Sequence, residues 1–289
     1  MNLGDYRIEI IPDSEFRLDG GAMFGVVPRV VWERVSPPDE FNRIRMQMNC
    51  VFIETPTEKI LIETGIGEKW TEKQTNMYGI FRTKPFTETL FEKTNRRPED
   101  ITIVINTHLH FDHAGGNTLI SDLGFGIADL ENKDQSLIAQ FPNARYFVSK
   151  SEFEHAENPS ERDRASYLSE NWKPLIDSGQ LELKADFYEA VEGLTLQTVR
   201  GHSETMQTWK LQRGGETLYG FADLIPTTAH LALPWIMGYD LFPTETLKFK
   251  KEILPQAVEE NWMCLFYHDF DTPLCRLREI DGKIKPFIN

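Results

Sequence analysis

The stretch Ile101-Thr102-Ile103-Val104-Ile105-Asn106-Thr107-His108-Leu109-His110-Phe111-Asp112-His113-Ala114-Gly115-Gly116 runs from a β-branched apolar block straight into a cluster of metal-ligating side chains. Residues 101–105 are too few for a helix and are of the type that suits a buried pleated surface, so they read as a strand. The cluster then stands at that strand's C-terminal end, and the two glycines mark the turn beyond it. In extended backbone, residues two apart point to one side. His108 and His110 can therefore hold one ion together, while the loop must turn Asp112 and His113 toward another position. One motif thus feeds two metals.

Working outward, apolar runs bounded by turn residues predict further strands over 46–53, 59–63, 145–148, 194–199, 206–211 and 217–221, with 262–267 as the final buried strand. The spacing of Leu168, Trp172, Leu175 and Ile176 predicts a helix over 164–177, stopped at Gly179. A late helix is predicted over 244–260, bent or split at Pro255. Two sheet-forming halves, each with helices attached, point to a layered α/β sandwich, expected as a single domain over 1–289.

The downstream ligand types each close an apolar run: His202 in Gly201-His202-Ser203, Asp223 in Ala222-Asp223-Leu224, and His268 in Phe266-Tyr267-His268-Asp269. Imidazole and carboxylate without thiolate suit Zn²⁺, and three protein ligands plus a water mark a catalytic rather than a structural site. A lone histidine is more often a hydrogen-bonded core or surface residue. Five of the seven histidines join this one constellation, so chance explains it poorly. Of the other two, His155 reads as an exposed helical residue, and His230 could line a pocket or serve structure.

Composition narrows the partners. Lys and Arg total 31 against 45 Asp and Glu, and a net charge of -14 gives no counterion-release gain on a phosphate backbone, which argues against nucleic acid. Asp5, Glu9, Asp13, Glu15 and Asp19 stand where a signal peptide would need an apolar core, and no apolar run reaches the length of a membrane span. The expectation is a cytoplasmic protein with a small-molecule substrate, and a homodimer is conceivable. Cys50, Cys264 and Cys275 lack C-x-x-C spacing and read as reduced, buried thiols.

The pattern H-x-H-x-D-H over His108 to His113 resembles the signature of the metallo-β-lactamase superfamily. Over nearly the whole chain the sequence is similar to the YtnP-type branch of quorum-quenching N-acyl-homoserine lactonases. The shared segments are Asp19-Gly20-Gly21-Ala22-Met23-Phe24-Gly25-Val26-Val27-Pro28, His-Leu-His-Phe-Asp-His-Ala, Phe141-Pro142-Asn143-Ala144 and the three downstream ligand segments quoted above. That resemblance implies a four-layer αββα sandwich with two divalent metal ions, expected to be Zn²⁺. It implies His108, His110 and His202 on one ion, Asp112, His113 and His268 on the other, and Asp223 bridging. Its best-known lactonases carry a substrate-holding tyrosine three residues after the bridging aspartate, where this chain has Pro226; many relatives also have a histidine where Met206 stands.

Two metals about 3.5 Å apart can share a hydroxide at neutral pH and polarise a carbonyl. The expected reaction is hydroxide attack on a lactone, with Asp112 relaying the proton and Asp223 placing both ions. Phe24, Val26, Trp32, His230, Trp235 and Tyr239 are the expected substrate contacts, being aromatic or apolar near loop mouths. An arylesterase or organophosphate hydrolase resembling the methyl parathion hydrolases is the alternative, since fold alone does not separate these chemistries. A non-catalytic metal or signal-binding protein is the reading from another class, and the intact ligand set argues against it.

Overall fold

The computed structural model describes residues 1–121 and 136–288. Its first sheet has seven strands. β1 (Asn2–Leu3), β2 (Tyr6–Asp19), β3 (Arg43–Glu54) and β4 (Lys59–Ile62) pair antiparallel in chain order, and β5 (Ile103–Ile105) adds parallel to β4. A separate ladder of β6 (Thr118–Ile120) and β7 (Leu137–Ala139) follows, and β8 (Arg145–Ser149) and β9 (Leu181–Lys184) then complete the first sheet in parallel.

The second sheet also has seven strands and keeps chain order throughout: β10 (Phe187–Val191), β11 (Leu194–Thr198), β12 (Gln207–Arg213), β13 (Glu216–Gly220), β14 (Met263–Leu265), β15 (Leu274–Ile280) and β16 (Lys283–Phe287). Only β13 and β14 pair in parallel, and the helix Pro243–Glu259 makes that crossover. Parallel pairing needs such a connection, and it leaves both strand ends open at the same edge of the sheet. One buried apolar cluster takes side chains from both sheets, and helices cover the outer faces of the αββα sandwich.

Several sequence expectations are corrected by the packing. The helix expected over 164–177 is a single α-helical turn at Lys173–Asp177, preceded by two 3₁₀ turns. Pro174 has no N–H and is tolerated only at a helix start, and Tyr167 is held extended by a bridge to His110. The late helix runs through Pro255 as one element, because Leu254 and Ala257, both fully buried, anchor it on either side. Residues 262–267 supply β14 but not the last strand, since the hairpin of β15 and β16 follows. β2, the longest strand, was unexpected; a bulge between Pro12 and Glu15 breaks its two-residue alternation. The three cysteines are free and buried. Among the described residues, no helix is long and apolar enough to cross a membrane.

The turn after β4 and the turn after the metal-ligating segment touch at their backbones. At Gly67 (φ +71°) a Cβ would lie 2.3 Å from the Gly115 carbonyl oxygen, whereas at Gly215 (φ +81°) nothing lies within 4 Å. Gly215→Ala should therefore cost only the left-handed backbone penalty, about 1 kcal/mol. Gly67→Ala should cost at least about 2 kcal/mol more, because backbone must move against backbone. Urea unfolding of the two variants side by side measures the difference, and equal losses would mean that the two turns do not depend on this contact.

Candidate metal centre

Every expected ligand leaves a strand where its pairing stops. His108 to His113 follow β5, and the short helix Phe111–Ala114 turns Asp112 and His113 off the line of His108 and His110. His202 lies between β11 and β12, Asp223 sits on the 3₁₀ turn Ala222–Leu224 after β13, and His268 follows β14. All seven side chains are buried.

They gather into two groups, His108 with His110 and His202, and Asp112 with His113, Asp223 and His268; within each, the ligand atoms lie inside 4.8 Å of one another. The Asp223 carboxylate faces both. Its Oδ1 is 3.1 Å from His113 Nε2 and 3.1 Å from His268 Nε2, and its Oδ2 is 3.5 Å from His202 Nε2. Such a donor set fits a pair of divalent cations. Nε2 of His108, His113 and His268 and Oδ1 of Asp223 are buried without a hydrogen-bond partner among the described residues, a costly arrangement unless something binds there, and His110 brings its Nδ1 to 3.1 Å from His202 Nε2.

The far side of the rings is held by protein oxygens. His108 Nδ1 is 3.0 Å from Thr107 Oγ1, His268 Nδ1 donates to the Gln47 carbonyl at 3.3 Å, and His202 Nδ1 is 3.2 Å from Asp240 Oδ1. Thr246 donates to the other Asp240 oxygen at 2.7 Å. Glu63 stands 3.4 Å from His113 Nδ1 and accepts from the Thr107 amide at 3.1 Å. Such partners fix which nitrogen faces the ion and make it a better donor. Glu63 (φ +62°) and Ala222 (φ +47°), the latter beside Asp223, hold left-handed backbone that costs energy in a residue with a Cβ. Sequence reasoning missed the roles of Glu63 and Asp240, since neither has a spacing that marks it.

Electrostatics agree with a cationic occupant. Burial and the neighbouring imidazoles push His108 and His110 well below the ordinary histidine value, into the neutral form that ligates. Burial pulls on His113 and His202 too, yet carboxylates outweigh it and raise both: Asp223, Asp112 and Glu63 for His113, and Asp240 with Asp223 for His202. Asp223 is likewise held far below the usual carboxylate range, because His268 and His113 outweigh its burial. The centre attracts positive charge, which protons or metal ions can supply.

A cavity of about 200 Å³ opens over both groups. His110, Asp112, His202, Asp223 and His268 form its floor, and Leu18, Met23, Met46, Phe111 and Met237 supply apolar wall. Of the six expected substrate contacts, Tyr239 lines it. The others are placed elsewhere: Val26 is 90% exposed, while Phe24 stacks on Trp32 and His230 and meets Trp235 edge-on as a packed block behind the wall. Their aromatic content favours core packing over a solvent-facing mouth. His230 is fully engaged there, bonded to Thr227 and to the Met23 carbonyl. His155 is not the exposed residue expected; it is half-buried, with Nε2 2.7 Å from Asp163.

A model of the metallo-β-lactamase superfamily matches residues 43–126. A probable metal-dependent hydrolase from Staphylococcus aureus superposes with a TM-score of 0.87 at 30% identity, covering 98% of this chain and 96% of that one. An N-acyl homoserine lactonase of Bacillus cereus is 27% identical over 176 residues, 58% of this chain and 59% of that enzyme's length. The fold is also shared with AidC, a dizinc quorum-quenching lactonase, at a TM-score of 0.77, 21% identity and coverage of 100% and 97%.

Two outcomes are expected of metal binding. Asp240→Ala should weaken it about 10- to 100-fold, by freeing His202 to rotate, and chelator competition on folded protein would read that. An unchanged affinity would show that His202 is oriented without Asp240. Affinity should also fall steadily as pH is lowered, because the protons that the carboxylates hold on His113 and His202 must leave before those rings ligate. A competition series from alkaline to mildly acidic pH checks the sign.

Proposed function

Because this chain belongs to the metallo-β-lactamase superfamily, we propose that it is a dinuclear zinc hydrolase that opens the ring of N-acyl-homoserine lactones. The observation that carries this reading is the single carboxylate of Asp223 facing two ligand groups at the floor of a largely apolar cavity. His108, His110 and His202 would hold one ion, Asp112, His113 and His268 the other, and Asp223 both. Zinc is favoured by the imidazole-rich, thiolate-free donor set. When bound, such a pair polarises a carbonyl and lowers the pKa of water enough to make it a nucleophile at neutral pH.

The chain's own residues do the rest. The floor ligands fix the position of the lactone carbonyl, and the apolar wall excludes water from the acyl chain, each buried methylene adding up to about 0.8 kcal/mol. Water adds to the carbonyl carbon, the bond from that carbon to the ring oxygen breaks, and the product is an acyl-homoserine. Asp112, whose carboxylate lines the cavity 3.6 Å from His268 Nε2, is assigned the transfer of the proton to the departing ring oxygen. The names of the Bacillus cereus relative and of AidC support the choice of a lactone. The same reading takes residues 1–289 as one catalytic unit and the three free, buried thiols as a sign of the reducing cytoplasm.

Ring opening releases acid, so a pH-stat panel of N-acyl-homoserine lactones, aryl esters and a phosphotriester tests the reading directly. We expect the homoserine lactones to give the highest kcat/KM, rising with acyl length mainly through KM. A phosphotriester or aryl ester turned over far faster than every lactone would replace it with the esterase or organophosphate reading. Asp223→Ala should reduce turnover to the uncatalysed background with the fold intact, since both ions lose their shared ligand.

A further inference from the structure

In the lactone reading the floor of the cavity addresses the bond that breaks, and an acyl-homoserine lactone carries a second acceptor, the amide oxygen, for which a donor on the wall would serve. Two phenols stand on the wall. Tyr78 ends the helix Glu72–Tyr78, and its half-buried ring packs on Phe111, with centroids 5.1 Å apart, and on Trp70 at 5.5 Å. Tyr239 lies at the cavity's edge on the loop before Asp240, 41% exposed.

Away from the cavity the phenols of Tyr6, Tyr146 and Tyr219 donate to protein oxygens at 3.0, 3.1 and 2.9 Å, while those of Tyr167 and Tyr188 are buried without a partner and out of reach of a ligand in it. Those of Tyr78 and Tyr239 make no such bond among the described residues, although both residues line the cavity. We infer that Tyr78 and Tyr239 are the substrate-holding donors of this site, hydrogen-bonding the amide oxygen of an N-acyl lactone. The inference rests on the lactone reading above and adds what selects amide-bearing lactones over plain ones.

Three further observations bear on it. Burial raises both phenols, Tyr239 to about 12, so each keeps its proton and remains a donor at neutral pH. Both residues line the same cavity as Asp112, which places them around the space above the ligand groups. Each backbone has a support outside the ligand set. Arg43 donates to the carbonyls of Asn76 and Met77 at 2.8 Å each, beside Tyr78, and Gly238 donates to the Ala22 carbonyl at 2.7 Å, beside Tyr239. Either hydroxyl can be removed without touching the centre, and phenylalanine keeps the ring packing.

The test is Tyr78→Phe, Tyr239→Phe and the double variant, in the metal-loaded enzyme, on N-hexanoyl-homoserine lactone and on γ-decalactone, which has no amide. Metal content should stay at the wild-type level. With the amide substrate kcat/KM should fall roughly tenfold per hydroxyl, the size of one lost hydrogen bond, and with γ-decalactone by less than about twofold. Calorimetry of the ring-opened N-hexanoyl-homoserine should show a similar weakening of Kd, a readout that does not depend on turnover. Equal losses on the two lactones, or none on either, would overturn the inference while leaving the lactone reading in place. A wild-type enzyme that opens neither lactone would remove that reading and the inference with it.

Discussion

The buried carboxylate of Asp223 is the constraint around which the centre is organised. A desolvated negative charge is expensive unless it is met by positive charge at close range, and here imidazoles approach it from both sides. Those imidazoles come from different sheets: His113 from the end of β5, His202 and His268 from the ends of β11 and β14. The two open sheet edges must therefore meet at one height and in one orientation. The parallel pairs β4 with β5 and β13 with β14 provide this, since each leaves its strand ends at the same rim.

Much of the centre was legible in the sequence because its ligands are tied to strand ends, and short β-branched runs followed by His or Asp are visible without coordinates. The grouping of the ligands could be anticipated from the two-residue period at His108 and His110 and from the resemblance. What stayed hidden was whatever depends on distant contacts. Asp240 meets His202, and Glu63 meets His113, across turns whose geometry no local pattern encodes. β2 was masked by its bulge and by the alternating acids Glu9 and Glu15. The hairpin of β15 and β16, by contrast, carried a readable sign in Asp281-Gly282, both left-handed as a two-residue hairpin turn requires.

Five of the six expected substrate contacts stand away from the cavity, four of them for an instructive reason. Phe24, Trp32, His230 and Trp235 have the side chains of a binding pocket, but a run of large flat rings buries most area by stacking on itself. The wall that does face the cavity is built largely from thioethers and from residues on short helices and loops, at Met23, Met46, Tyr78, Met237 and Tyr239. Methionine adapts to irregular shapes at little cost. The reacting end is thus fixed by rigid strand ends, while the outer part can vary without disturbing the ligands.

That the ligands derive from both sheets also bears on the order of events in folding. His108 and His268 lie far apart in the chain, and no ligand group is complete until the two halves have docked. Closing so long a loop is slow and entropically costly, and a metal can repay it only after the fact. Metal capture therefore belongs to the end of folding. It locks an assembled sandwich rather than seeding it, and a chain that has acquired its ions has passed a test of its own tertiary structure.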